Sequence, residues 1–186
     1  MNVYVDCPTF ENDRFLLRLV VRDDASDLLK VYSDVKAVPL FNSDNCHGDD
    51  FYYTTMERMQ SAVDFWIEAY QKGWFVRWSV VDKNTSVVVG TIEEFLRESD
   101  DYFTDCGLLR LDLRSDYEKA DEIANILSLI VTPSYDMFGC KMIATKALPI
   151  AVNRRQALIE LGFSEVDHHL VGFDGTKYCS YFVTKR

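Results

Sequence analysis

Trp74-Phe75-Val76-Arg77-Trp78-Ser79-Val80-Val81 and Val87-Val88-Val89-Gly90-Thr91-Ile92-Glu93-Glu94-Phe95 are two β-branched and aromatic runs held apart by Asp82-Lys83-Asn84-Thr85-Ser86. Such residues fit a pleated, half-buried surface, and the short polar insert between them has the composition of a hairpin loop. The two runs are expected to pair antiparallel. Tyr102 to Leu113 follows an acidic turn at Glu98-Ser99-Asp100-Asp101 and extends the same sheet.

Upstream, Phe15 to Val21 reads as a short strand, after which Ala25, Leu28, Leu29 and Tyr32 recur at helical spacing with Asp24 as the N-cap. The clearest helix runs from Thr55 to Lys72, where Met59, Ala62, Val63, Trp66, Ile67 and Tyr70 form one apolar face and Gly73 stops it. Val35 to Tyr53, with Pro39, Asn42, Asn45 and Gly48, reads as a loop or broken helix. Downstream, Ile123, Ile126, Leu127 and Ile130 mark one face of a helix with Pro133 beyond its end. Lys141 to Leu148 reads as a buried strand and Asn153 to Leu161 as a helix closed by Gly162. Glu165 to Val171 and Tyr178 to Thr184 form a closing hairpin around Asp174-Gly175. This order predicts one α+β (mixed α/β) domain over residues 1–186, with a twisted mixed sheet of six or seven strands flanked by helices.

The composition is globular, 48% hydrophobic over 186 residues, with no repeat or linker. No apolar run reaches the roughly 18 residues of a membrane span, and Met1 to Phe10 lacks the pattern of a signal peptide, so a cytoplasmic protein is expected. A net charge of -10 repels phosphate backbones and anionic lipid, which excludes nucleic acid and membrane as partners. The five cysteines show no CxxC pair and are expected as reduced thiols. Cys46-His47 is their only adjacency to a histidine, and no metal site is expected. His168-His169, on a strand, face opposite sides and cannot act as a pair.

Further signals fall in one order along nearly the whole chain. Arg14-Phe15-Leu16-Leu17-Arg18, Asp24-Ala25 and Val31-Tyr32-Ser33-Asp34 come first. Trp66-Ile67, Trp78-Ser79-Val80-Val81, Gly90-Thr91-Ile92 and Leu161-Gly162-Phe163 follow. In this series the chain resembles the GNAT superfamily of N-acetyltransferases, in the branch of the ribosomal-protein alanine acetyltransferases. The resemblance implies a GNAT-like fold and transfer of an acetyl group from acetyl-CoA, as co-substrate, to a primary amine. The acceptor would be a peptide N-terminus or a small molecule, and a homodimer is left open.

In that family one strand parts from its neighbour, and the loop after it opens a helix whose N–H groups cradle the cofactor pyrophosphate. The loop normally reads Arg/Gln-x-x-Gly-x-Gly/Ala. Here the equivalent stretch is Ser115-Asp116-Tyr117-Glu118-Lys119-Ala120-Asp121-Glu122-Ile123, without a glycine and with four acids against one lysine. Weak acetyl-CoA binding is therefore expected. The alternative is a non-catalytic GNAT-like binding or assembly module that has lost the cofactor.

Acetyl transfer needs a base for the ammonium, donors for the thioester carbonyl and an acid for the thiolate. The resemblance places Glu93 and Glu94 as candidates for the first role, one of which strand alternation turns inward. Tyr117 is the nearest acid. The backbone of Leu111, Asp112 and Leu113 would hold the thioester and the pantetheine arm, and Lys119, Ala120, Asp121 and Glu122 the phosphates. Asn153 and Arg154 would meet the cofactor from the last helix. Phe41, Phe51, Tyr52 and Tyr53 lie in the segment that covers the acceptor.

Overall fold

The computed structural model describes residues 2–186. Its first half comprises β1 (Phe10–Glu11), β2 (Phe15–Leu19), α1 (Ala25–Tyr32), α2 (Met56–Gln71), β3 (Val76–Asp82), β4 (Val87–Arg97) and β5 (Cys106–Leu113). Then come α3 (Ala120–Leu127), α4 (Val131–Phe138), β6 (Met142–Lys146), α5 (Val152–Glu160), β7 (Ser164–Glu165), β8 (Leu170–Val171), β9 (Lys177–Tyr178) and β10 (Tyr181–Lys185). The architecture is mixed α/β. Eight strands form one sheet in the order β1-β2-β3-β4-β5-β6-β10-β7, and β8 and β9 make a separate ribbon. All neighbours are antiparallel except β5 and β6, whose parallel pairing requires the crossover that α3 and α4 supply.

Each face of the sheet is closed by helices with matching apolar stripes. Leu28, Val31, Met59, Val63 and Trp66 of α1 and α2 pack with Val81 and Val88 on one side. Ile123, Ile126, Tyr135 and Leu158 of α3, α4 and α5 pack with Trp78, Ile92, Leu109 and Leu111 on the other. Thr55 caps α2, its side chain accepting from the Arg58 backbone N–H at 3.2 Å.

The β3–β4 hairpin forms as the two apolar runs require. Its register slips between Val80, opposite Gly90, and Val81, opposite Val88, so that Val89 is the extra residue of a bulge. Gly90 is needed there, because a Cβ would lie 2.2 Å from the Asp112 carbonyl oxygen on β5.

The structure departs from the sequence reading in four places. The main sheet has eight strands rather than six or seven, since the two-residue strands β1 and β7 pair at its edges. The helix of Ile123 stops at Leu127, short of Ile130, and Pro133 beyond it sits in the first turn of a further helix, α4, where its missing N–H costs nothing. The closing hairpin is divided at Ser180, whose φ of 68° turns the chain. Tyr178 thus pairs with Leu170, whereas Tyr181–Lys185 joins β6. Asp24 precedes α1 without capping it, because its carboxylate accepts from Arg18, Ser79 and the Val21 N–H instead.

All five cysteines are free thiols, and only Cys179 is exposed. Burial pushes the Cys7 and Cys106 thiols up to about 12 and the Cys46 thiol up to about 11. A thiol-disulfide reagent at neutral pH is therefore expected to titrate one group quickly in the native protein and five after denaturation. Fewer than five after denaturation would contradict the free-thiol assignment.

Candidate active site

Strand alternation sends Arg77, Glu93 and Arg110 to the face beneath α1 and α2, where the register sets them side by side across β3, β4 and β5. Ser79, Thr91 and Asp112 form the adjoining row. Glu93 takes one hydrogen bond from Arg77 and one of 2.6 Å from Arg110. Asp112 accepts from Tyr32 at 2.7 Å and from Arg77 at 3.3 Å. Arg77 also donates to the hydroxyls of Tyr32 and Thr91, and its guanidinium lies 4.1 Å over the Trp66 ring.

All four charges of this network are buried. Burying an ion costs several kcal/mol unless partners surround it, so the arrangement is a demanding way to fill a sheet centre and directs attention to chemistry there. Burial works against ionisation of Glu93, but its two arginines win and hold the carboxyl below the ordinary range. For Asp112 burial outweighs Arg77, the Tyr32 hydrogen bond and the more distant Arg154, and pushes the carboxyl up.

Above the network opens a cleft of about 550 Å³ with Arg77, Glu93 and Arg110 at its base. Its walls carry Phe51, Tyr53, Phe65, Trp66, Trp74 and Phe75. The segment over the cleft holds three non-glycine residues in the left-handed region within seven positions, Asn45 (φ 59°), His47 (φ 54°) and Phe51 (φ 57°). Such conformations cost about 1–3 kcal/mol each and persist where surroundings enforce them, commonly at ligand sites. The enforcing bonds are visible. Arg110 donates to the Asp44 carbonyl at 2.8 Å, Asn45 accepts from the Phe173 N–H at 2.9 Å, and Asp49 accepts from Tyr53 at 2.8 Å and from Arg58 at 2.7 Å.

On the far side of β5 the sheet parts. β5 and β6 pair from Cys106 and Met142 as far as Leu109 and Thr145, and residues 110–113 leave that edge without a strand partner. The gap is filled from α5. Arg154 donates to the Leu111 carbonyl at 2.6 Å and clasps both carboxylate oxygens of Glu118, while Asn153 donates to the Glu118 carbonyl at 2.6 Å. Arg154 and Glu118 are both buried, and α3 lies directly against α5. Burial opposes the Arg154 charge, but Glu118 beside it holds the guanidinium above its ordinary range.

The candidate residues are thus distributed unevenly. Glu93 faces the cleft and Asp112 lies in the same network. Glu94 turns to the opposite face, and the Tyr117 hydroxyl donates to Asp82 at 2.7 Å, away from the cleft. Arg154 and Asn153 lie across the open edge of β5, holding the Leu111 and Glu118 carbonyls. In the loop, Asp116 pairs with Arg114 and Glu122 with Arg14, so these acids are neutralised locally rather than gathered towards a ligand. Lys119 precedes α3, and Lys119 and Asp121 are exposed while Ala120 is half-buried. Among the described residues no group of three or more metal-ligating side chains gathers. His168 stacks on Tyr102 with ring centroids 3.9 Å apart.

Glu94 has a chemistry of its own. Ser134 Oγ lies 2.6 Å from Glu94 Oε2 and 2.8 Å from the Ile130 carbonyl, and one hydroxyl proton cannot serve both. Burial raises the Glu94 pKa to about 8, so at neutral pH the protonated carboxyl donates to Ser134 and Ser134 donates to Ile130. Gly107 makes room, since a Cβ there would lie 2.8 Å from Glu94 Oε1. The folded pKa stands above the ordinary 4.5, so across this interval the native state keeps a proton that the unfolded chain loses. Stability should fall as pH rises from 4.5 to about 8. Glu94→Gln should match the parent near pH 5 and exceed it near pH 8, by on the order of 1.4 kcal/mol per pH unit crossed. Parallel denaturation curves at the two pH values would contradict this.

This mixed sheet with its one parallel pair and its flanking helices matches known structures over nearly the whole chain. The acetyltransferase (GNAT family) from Bacillus anthracis superposes with a TM-score of 0.71 at 10% identity, over 96% of this chain and 98% of that one. This is the GNAT fold. The ribosomal-protein-S5-alanine acetyltransferase from Vibrio fischeri gives 0.69 at 16% identity, over 96% of each chain. The microcin C7 self-immunity acetyltransferase MccE, in complex with acetyl-CoA and AMP, gives 0.71 at 10% identity, over 94% of each. No protein-family model matches the sequence, and no curated protein matches it.

Sequence reasoning passed over Arg77 and Arg110, and took Glu118 only as one of the loop acids, not as the partner of Arg154. The signal for the first two was present, because a lone arginine inside an apolar run that becomes a central strand must find a buried partner. Glu118 gave no such sign in a loop of many acids.

Proposed function

We propose that this chain transfers an acetyl group from acetyl-CoA to a primary amine bound in the aromatic cleft. The observation that carries the reading is the parting of β5 from β6 after Leu109, directly behind the Glu93–Arg110 pair. It leaves the β6-facing edge of 110–113 without a strand partner, and once Arg154 lets go of the Leu111 carbonyl that edge can hold an extended arm with its reactive end at the cleft base. Glu93, ionised between two arginines, anchors the ammonium. Its depressed pKa makes it a poor proton acceptor, and Asp112, with its raised pKa and an Oδ1 that has no partner among the described residues, is better matched to that role.

In the conformation described the arm does not fit, because Arg154 already holds the Leu111 carbonyl and fills the gap. Acetyl-CoA therefore requires Arg154 and Glu118 to part. That same observation favours a second reading, a binding protein that keeps the amine cleft and no longer takes the donor. Release of CoA thiol, measured with millimolar acetyl-CoA and a panel of amines, separates the two. The enzyme reading expects amine-dependent release that Glu93→Gln abolishes. No release above the background rate would leave the binding reading standing.

A further inference from the structure

We infer that the acceptor is an α-amino acid with a flat aromatic side chain, held as a zwitterion, rather than a peptide N-terminus or a simple amine. The inference rests on the amine-acceptor reading of the cleft and narrows it.

Three observations meet at this cleft. The first is charge order. Arg77, Glu93 and Arg110 stand in one row at its base, positive, negative, positive, and with Arg58 and Asp49 the lining has three arginines against two carboxylates in a chain of net charge -10. A carboxylate held between arginines suits an ammonium, and the arginines beside it suit an anionic group one or two bonds away. The second is the setting of those charges. Arg77 and Arg110 both line the cleft although their side chains are buried. A guanidinium already withdrawn from water attracts an anionic ligand group more strongly than one in bulk solvent. The third is shape. Six aromatic rings wall a volume within the roughly 300–1,000 Å³ of small-molecule sites. Two of them stand at the mouth, Phe65 (48% exposed) and Trp74 (53% exposed), where a flat ring can stack. The strained segment over the cleft holds these walls in place.

A peptide N-terminus would offer the ammonium and a neutral carbonyl; a simple aromatic amine would offer no oxygen at all. Only the free amino acid supplies both charges and the ring.

Titration calorimetry without acetyl-CoA tests the assignment with L-tryptophan, L-tryptophan amide and indole-3-propionate. Tryptophan should bind, with the amide and the propionate each weaker by about tenfold or more, as loss of one charge-assisted contact entails. Arg110→Gln should bring tryptophan down to the amide. Because that side chain is buried, Trp74→Ala at the exposed rim serves as the second variant, weakening all three ligands while keeping their order. Amide binding equal to tryptophan would overturn the assignment in favour of a peptide N-terminus, and no binding by any of the three would overturn the aromatic class. Since no donor is present, the two readings fail separately. Tryptophan that binds without being acetylated counts against acetyl transfer alone, and another amine acetylated while tryptophan does not bind counts against this inference alone.

Discussion

Arg154→Ala is expected to destabilise the protein by about 3–5 kcal/mol, the range for removing one partner of a buried ion pair. The cost arises because Glu118 would remain inside the protein as a carboxylate without its cation, and the Leu111 carbonyl without its donor. Glu118→Ala should cost a similar amount for the reciprocal reason. The double variant should cost clearly less than the two singles added together, since it buries no orphaned charge. Urea denaturation of the four proteins gives the cycle. Additive single effects would show that the pair does not act as a unit, and the account of the closed gap would fail with it.

Glu93→Ala should be equally severe, by about 3–5 kcal/mol, because it leaves Arg77 and Arg110 side by side with no carboxylate between them. The sign of its pH dependence is fixed. Glu93 has its folded pKa below the ordinary 4.5, so its contribution is present above that value and is lost as pH falls through the folded pKa. Acid unfolding of the parent should therefore show a component below pH 4.5 that Glu93→Gln lacks. This is opposite in direction to Glu94, one residue along, whose carboxyl lowers stability as pH rises. Two adjacent glutamates with opposite pH behaviour follow from strand alternation alone, one facing two arginines and the other facing α4.

The fold was legible where local chemistry and tertiary structure agree. The β3–β4 runs, the apolar face of α2 and the turn at Gly162 each specify their element without help from the rest of the chain. α4 escaped notice because Pro133 has one reading at a helix end and another in a first turn, and only the packed position of Tyr135 and Phe138 distinguishes them. The division of the last hairpin depends on a single left-handed residue, Ser180, whose type does not announce it.

The site was legible in outline. The glycine-free loop announced an obstacle to the cofactor, and the acids there suggested an electrostatic one. In the structure Asp116 and Glu122 are paired locally. On the proposed reading the obstacle is Arg154, a residue that helix periodicity could place beside the gap but whose partner 36 residues upstream no local pattern could name. Which of Glu93 and Glu94 faces the cleft was likewise beyond local reading, since the bulge at Val89 shifts the alternation on which that choice depends.

The central claim is that acetyl-CoA belongs between β5 and β6 and is kept out by the Arg154–Glu118 pair. Titration calorimetry of the parent and of the Glu118→Ala/Arg154→Ala double variant with acetyl-CoA, each confirmed folded by its melting curve, tests this directly. The parent should bind with a Kd of roughly hundreds of micromolar or weaker, and the double variant about tenfold tighter or more. Saturation of the parent at low micromolar acetyl-CoA, or a double variant that binds no better than the parent, would contradict it.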